Sequence, residues 1–316
     1  MSKTVSQFTN AEILAGRPDK NVVDPHRPYA YLFEQERSAQ GEIVDVATIF
    51  LTNRECPFRC LMCDLWKNTT DQRVPAGAIP EQIDFAISQL SPAQQIKLYN
   101  SGNFFDDQAI PAEDWTTITT RVRDYENVIV ENHPKLCGER CRQFRDQTET
   151  NLEIALGLET IHADVLPALN KSMTLGDFDR AVDLLLADDI ALRSFILLKP
   201  PFLTEVEGVD WALRSIEYAF RRGVECCSVI ATRAGNGIME QLETEGRFSP
   251  PALSSLEQVL ENGIQLGQGR VFVDLWDAER FADCAKCAKP RIQRMHQMNL
   301  QQQVLPAIEC KCGVRQ

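Results

Sequence analysis

Apolar positions along this chain follow two alternating periods. Short, mostly apolar runs at 43–51 (IVDVATIFL), 96–101 (IKLYNS), 128–131 (VIVE), 152–158 (LEIALGL), 191–198 (ALRSFILL) and 224–231 (VECCSVIA) predict strands covered on both faces. A seventh strand is expected at 270–275 (RVFVDL). Between them, 80–90, 177–186, 206–220 and 253–260 carry apolar residues at helical spacing; Ile83, Ala86, Ile87 and Leu90 share one stripe of the first. Repeated strand–helix alternation predicts parallel strands joined by right-handed crossovers. The expected fold class is α/β, an open or partial (β/α)6-type barrel. No glycine-rich phosphate loop follows the first strand, which argues against a dinucleotide-binding fold. No internal repeat is evident.

The flanks differ from this core, taken as 43–276. Residues 1–42 mix Pro, Gln and charge without a period and read as an irregular N-terminal arm. Residues 277–316 replace the alternation with Gln, Met and basic residues, and read as a small appendage organised by cysteines.

The 316 residues carry a net charge of −12, and residues 280–316 hold a local +5. An acidic body disfavours broad electrostatic binding of nucleic acid, which depends on neutralising phosphates. The basic tail reads as solvated surface. No apolar run reaches the ~18–20 residues that span a bilayer, and MSKTVSQFTN lacks the apolar stretch of a secretory signal. A soluble, cytoplasmic protein without membrane contact is expected.

Eleven cysteines, an odd number, fit poorly with a complete disulfide framework. They fall in groups: Cys56, Cys60 and Cys63; Cys137 and Cys141; Cys226 and Cys227; Cys284 and Cys287; Cys310 and Cys312. Cys226 and Cys227 lie in an apolar strand and read as core. Cys137 and Cys141 flank a polar turn without an assigned role. Cys284, Cys287, Cys310 and Cys312 supply four thiolates, enough for a structural zinc site or a fully ligated auxiliary iron–sulfur cluster, with zinc preferred and unligated thiols as the plain alternative.

The array Cys56-Pro-Phe-Arg-Cys60-Leu-Met-Cys63 directly follows the first predicted strand. Three thiolates can hold three irons of a 4Fe-4S cube and leave the fourth open to chelate the amino and carboxylate groups of S-adenosylmethionine. An electron from the cluster would then cleave a carbon–sulfur bond and yield a 5′-deoxyadenosyl radical; the cofactor supplies this chemistry and the protein positions it. A structural zinc knot or three buried thiols are the plain readings, although zinc sites usually have four ligands in two separated pairs.

With this array, the chain resembles the radical SAM superfamily over about residues 43–275; Met62 stands where many members carry an aromatic residue. CPFRCLMCDLW, KLYNSGNFFD, VIVENHP, LEIALGLET, NKSMTLGDFDRA and ILLKPPFLTE resemble the branch containing the Elongator catalytic subunit and, more narrowly, the radical SAM subunit of archaeosine synthase. The resemblance implies a radical SAM barrel binding a 4Fe-4S cluster and S-adenosylmethionine. It also implies site roles. Ser101, Gly102 and Asn103 stand where relatives have a GGE-like turn that receives the amino group of S-adenosylmethionine, though the usual acid is missing. Glu159 would face the ribose or methionine portion. Glu131 and His133 are substrate-side candidates, Lys171 and Lys199 are candidate ligand contacts, and Asn236 is placed near the adenine. Ordinary strand-end turns, a helix N-terminal carboxylate and surface ion pairs are the competing explanations.

The leading expectation is a radical SAM enzyme that abstracts hydrogen from its substrate, with a modified tRNA nucleoside and lyase-type cleavage suggested by the archaeosine resemblance. A small metabolite or natural-product precursor is the alternative, and a non-catalytic iron–sulfur or zinc sensor is the rival of another class. An external donor such as flavodoxin or ferredoxin, and a partner subunit, are the expected partners.

Overall fold

The computed structural model describes residues 5, 7–310 and 312. The ends of the arm 1–42 and of the extension 277–316 therefore lie partly outside the described residues. The elements run α1 (Asn10–Ala15), β1 (Ala30–Arg37), β2 (Ile43–Phe50), α2 (Ala78–Gln89), β3 (Gln95–Tyr99), α3 (Trp115–Val122), β4 (Asn127–Asn132) and α4 (Glu139–Gln147). They continue with β5 (Asn151–Glu159), α5 (Val165–Ala168), α6 (Leu175–Ala187), β6 (Ala191–Leu198), α7 (Glu205–Arg221) and β7 (Cys226–Ala231). The last are α8 (Ile238–Thr244), α9 (Leu253–Gln265), β8 (Arg270–Val273) and α10 (Ala285–Gln301).

One eight-stranded sheet follows chain order, β1 to β8. Strands β2 to β8 are parallel, as the strand–helix alternation predicts, and β1 pairs antiparallel with β2. Parallel strands buried on both faces need covering helices. Ile49, Leu98, Val130, Leu156, Ile196, Val229 and Val271 meet that layer in the main core. Because side chains alternate, Thr48, Lys97, Glu131, Glu153, Arg193 and Arg270 point to the opposite, concave face.

One part of the chain corrects the expected outline. The arm is not irregular throughout: it contains α1, held by a Thr9–Glu12 capping box, and β1. The cysteine-rich C-terminal appendage is anchored on the core. Helix α10 packs on β1, β8 and α9, and places Met295 and Met298 in the main core.

At the N-terminal end of the strands, ion pairs fill the concave face. Arg193 bonds Glu153 at 2.6 Å and Glu36 at 2.5 Å, and Lys97 reaches Glu36 at 2.6 Å. Arg270 of β8 donates to the Arg37 carbonyl of β1 at 2.7 Å, tying the two edge strands together. With this end filled by paired charge, the strand C-terminal ends, where barrels of this kind carry their sites, are the place for a candidate site.

Candidate active site at the strand C-terminal ends

Cys56, Cys60 and Cys63 lie in the loop leaving β2, which is stitched to its surroundings on several sides. The Leu61 N–H donates to the Leu169 carbonyl (2.8 Å), and Asn170 Nδ2 donates to the Arg59 carbonyl (2.7 Å). Asn236 Nδ2 reaches the Leu61 carbonyl (2.7 Å) and the Cys63 carbonyl (3.1 Å), while its Oδ1 accepts from the Met239 N–H at the start of α8. Trp66 Nε1 donates to the Cys63 carbonyl at 3.0 Å. Glu55 gathers Arg17, Lys20 and Arg59 around the loop's first turn. Helix α1 and Leu61 share a smaller core with α8, so the N-terminal segment straps the loop in place.

The turn after β3 meets the loop directly. Asn103 Nδ2 donates to Cys56 Sγ at 3.1 Å, and its Oδ1 accepts from the His133 N–H at 2.7 Å. A Cβ at Gly102 would lie 3.4 Å from the Cys56 Cβ, in ordinary contact, so this turn lies directly against the loop. Beneath the turn, the Glu131 carboxylate accepts from the N–H groups of Asn100 (2.7 Å) and Gly102 (3.3 Å). Burial nonetheless pushes its carboxyl up. Ser101 Oγ donates to the Tyr29 hydroxyl at 2.8 Å. Glu131, Asp64 and Cys63 all act electrostatically on that phenol, and burial is the main force raising its pKa.

Glu159 ends β5 at a register shift in its pairing with β6, and bulges of this kind re-aim side chains near sites. Its carboxylate meets Lys171 Nζ at 2.5 Å, and both residues are buried. Ser101, Glu159, Asn170 and Ser172 all have positive φ, 50° to 65°, without being glycine. Such strain collects where surrounding structure over-determines a site.

The structure thus brings Cys56, Cys60, Cys63, Ser101, Gly102, Asn103, Glu131, His133, Glu159 and Lys171 together at one end of the sheet. Asn236 belongs to the same region, but its side chain is spent on the cysteine loop and α8. Lys199 does not join: its amine is held by Glu205, Ser249 Oγ and the Pro250 carbonyl. His133 joins as a support, with Nδ1 accepting from the Lys135 N–H (3.1 Å) and Nε2 lying 2.9 Å from the Lys171 carbonyl. These partners place its proton on Nε2. Tyr29, Phe58 and Asn170 were missed: Tyr29 and Asn170 lie tens of residues from the motif and carry no local signal of belonging to it, and Phe58, inside the motif, shows its role only through its stack on His133.

The donor set suits a cationic centre. Burial pushes the Cys60 thiol up to about 12 and raises Cys56 and Cys63 as well, so the bare thiols hold their protons. Binding an iron–sulfur cluster would replace those protons with positive charge. The loop offers three such sulfurs, as a cube with one open iron requires.

The second cysteine group is also assembled. Cys284 and Cys310 sulfurs are 4.0 Å apart, as are those of Cys287 and Cys312, and all four lie within 4.8 Å of one another. Four thiolates ~2.3 Å from one zinc ion stand roughly 3.8 Å apart. The spacing therefore fits a single tetrahedral ion better than a cube, whose separate corner irons spread their thiolates. Cys284 caps α10, and the N–H groups of Cys287 and Lys286 pull its thiol down to about 7. Cys226 and Cys227 are buried in β7, as expected of core residues.

No protein-family model matches the chain. It is 24% identical to an uncharacterized protein of Methanocaldococcus jannaschii, over 93% of this chain and 87% of that one. It is 26% and 28% identical to archaeosine synthase subunit beta of Thermococcus kodakarensis and of Methanosarcina acetivorans, over 64% of this chain each time. Those alignments span 65% and 60% of the subunits, less than two thirds of their length. Among solved structures, Elp3 of Methanocaldococcus infernus superposes with a TM-score of 0.52 at 14% identity, covering 69% of this chain and 59% of Elp3. Methylornithine synthase gives 0.52 at 14% identity, covering 70% and 64%. Among the described residues no helix is long and apolar enough to cross a membrane. The sheet topology and these likenesses together give the chain the half-barrel fold of the radical SAM enzymes, with sequence similarity to archaeosine synthase subunit beta.

Proposed function

We propose that this protein is a radical SAM enzyme with a 4Fe-4S cluster on Cys56, Cys60 and Cys63. The observation that carries this reading is the cysteine loop itself: three half-buried thiols at the strand ends, with Asn103 bonded to the first. When bound, the cluster supplies the electron that cleaves S-adenosylmethionine and so starts hydrogen abstraction from a substrate. The chain's own residues orient and shield. Glu131, held under the turn at 100–102, supplies the carboxylate that the turn lacks and would receive the ammonium of S-adenosylmethionine. Ser101 and Gly102 line its approach, and Glu159 would meet the ribose or methionine portion. Helix α1 and its following segment hold the loop in place, through the core that Ile13 shares with Leu61 and through the Arg17–Glu55 pair.

The similarity to archaeosine synthase subunits favours a modified nucleoside of tRNA as substrate, with lyase-type cleavage, a partner subunit and an external one-electron donor. The acidic body leaves phosphate contacts to that partner or to the basic end of the chain. A small metabolite is the second reading, favoured by the same charge balance.

The test uses anaerobically reconstituted full-length protein, dithionite and S-adenosylmethionine. We expect 5′-deoxyadenosine from wild type and none from a Cys56/Cys60/Cys63→Ala variant, which also loses about four irons per chain. Failure of wild type to hold either the irons or S-adenosylmethionine overturns the reading. A tRNA substrate would show affinity that falls steeply with salt when the partner subunit is present; a flat response favours the small molecule.

A further inference from the structure

The site contains one ion pair whose purpose is not explained by folding alone. Lys171 Nζ meets Glu159 Oε1 at 2.5 Å, and the two residues are 8% and 6% exposed. Burying a charge pair costs desolvation on both sides, so such a pair is weak evidence for stability. The chain nevertheless accepts strain to build it. Glu159 has φ 65°, and Lys171 lies between Asn170 (φ 50°) and Ser172 (φ 58°). Gly157 clears the space: a Cβ there would fall 2.4 Å from Lys171 Nζ and 2.3 Å from Glu159 Oε1.

The pair is also fastened to the cysteine loop. The two residues before Lys171 are fixed by the loop's own backbone, through Leu61 N–H to Leu169 O and through Asn170 Nδ2 to Arg59 O. The Lys171 carbonyl is gripped by His133. The amine acts electrostatically on both Cys60 and Cys56, in each case ahead of any other cation. Arg17, Lys20 and Arg59, also near the loop, are engaged by Glu55.

Resting on the cluster reading above, we propose that Lys171 and Glu159 set the reduction potential of the centre held by Cys56, Cys60 and Cys63. Lys171 is the stabilising charge and Glu159 its counterweight. Lys171 offsets the negative charge added by one electron from an external reductant, with no proton transferred and no bond broken. In a buried, low-dielectric setting that compensation is strong, and burial and neighbouring charge are recognised levers on cluster potentials. Lys171 is a positioning residue in this scheme, because its effect passes through the thiolate ligands.

The test is a potentiometric titration of the reconstituted full chain, followed by electron paramagnetic resonance without S-adenosylmethionine, so that turnover plays no part. Lys171→Met is expected to move the midpoint to more negative potential, and Lys171→Arg to restore it. Glu159→Gln is expected to move it the other way, to more positive potential, because a carboxylate near the centre opposes reduction. A merely structural pair would not give shifts of opposite sign. Midpoints that stay at the wild-type value, or move in the same direction in both neutralising variants, overturn the proposal. If Lys171→Met fails to hold iron, the Glu159→Gln shift decides alone. A wild type lacking about four irons and a reducible signal fails the cluster reading itself, and the iron count distinguishes that failure from one of the pair.

Discussion

The Phe58 ring lies flat on the His133 imidazole, with centroids 3.8 Å apart and planes 16° from parallel. Phe58 belongs to the cysteine loop and His133 follows β4, so this stack joins the cysteine loop to the rigid sheet. Both His133 ring nitrogens are occupied, which makes the histidine a clamp for the loop.

His133→Ala should therefore loosen the loop rather than abolish a proton transfer. The lost stack and hydrogen bonds predict destabilisation of about 2–3 kcal/mol and lower iron retention after gel filtration. His133→Phe, which keeps the stack, should fall between. Burial first, and then Lys171, lowers the His133 pKa to about 3. The folded value is below the unfolded one, so this residue's contribution is fully present above ~6.5 and is lost as pH falls toward 3, at about 1.4 kcal/mol per unit. Thermal melts across that range check the slope; a His133→Ala protein with wild-type iron content and melting temperature would refute the clamp.

Asn103 makes the complementary contact, joining Cys56 Sγ to the His133 N–H. Asn103→Ala leaves a buried backbone donor unpaired and should cost about 1–3 kcal/mol. Asn103→Asp should be worse for the centre, since it sets a carboxylate against a thiolate. Iron and acid-labile sulfide analysis should rank the three proteins wild type, Asn103→Ala, Asn103→Asp. Equal occupancy in all three would show that the contact is incidental.

How far the sequence carries can be judged residue by residue. Strands β2 to β8 were legible because their helix-facing positions, such as Ile49, Leu98 and Val229, are continuously apolar in short runs. Strand β1 was not, since AYLFEQER puts Glu34 and Glu36 toward the concave face to meet Lys97, a demand set by a strand 60 residues away. Helix α4 was also missed: ERCRQFRDQ buries only Cys141 and Phe144, too few for a stripe. Helix α10 was hidden by Pro290 and its polar composition. At the site, the cysteine spacing is local chemistry and reads directly. The work of Glu131, Asn236 and Tyr29 depends on which strand ends meet, and tertiary structure alone supplies that.

The C-terminal cysteines make a prediction about metal content. A single tetrahedral ion should give one zinc per chain, separate from the irons of the first loop. Cys284→Ser/Cys310→Ser should lose that ion, keep the cluster iron and lower the melting temperature by loosening the end of α10. Thiolate ligands must be deprotonated, so acidification should release the metal. A second set of about four irons lost in this variant would replace the single ion with an auxiliary cluster.

The closed end of the sheet lies opposite Cys56, Cys60 and Cys63. Arg193 is buried between Glu36 and Glu153, and Lys97 and Arg270 complete the network. Burial works to raise both carboxyls, but Arg193 with Lys97 or Arg270 outweighs it and holds them below the usual range. Arg193→Met leaves buried Glu36 to Lys97 and buried Glu153 to Arg270, and should cost about 3 kcal/mol at neutral pH. Folded pKa values below the unfolded ones mean that wild type is stabilised above ~4.5 and loses that stability as pH falls further. The variant has lost the Arg193 share of this acid sensitivity, so the gap between the two melting curves should narrow on acidification. Iron bound at the opposite end should be unchanged in whatever fraction remains folded. A gap that is small at neutral pH, or constant down to pH 3, would mean that the network is neutral ballast rather than the closure of the half barrel.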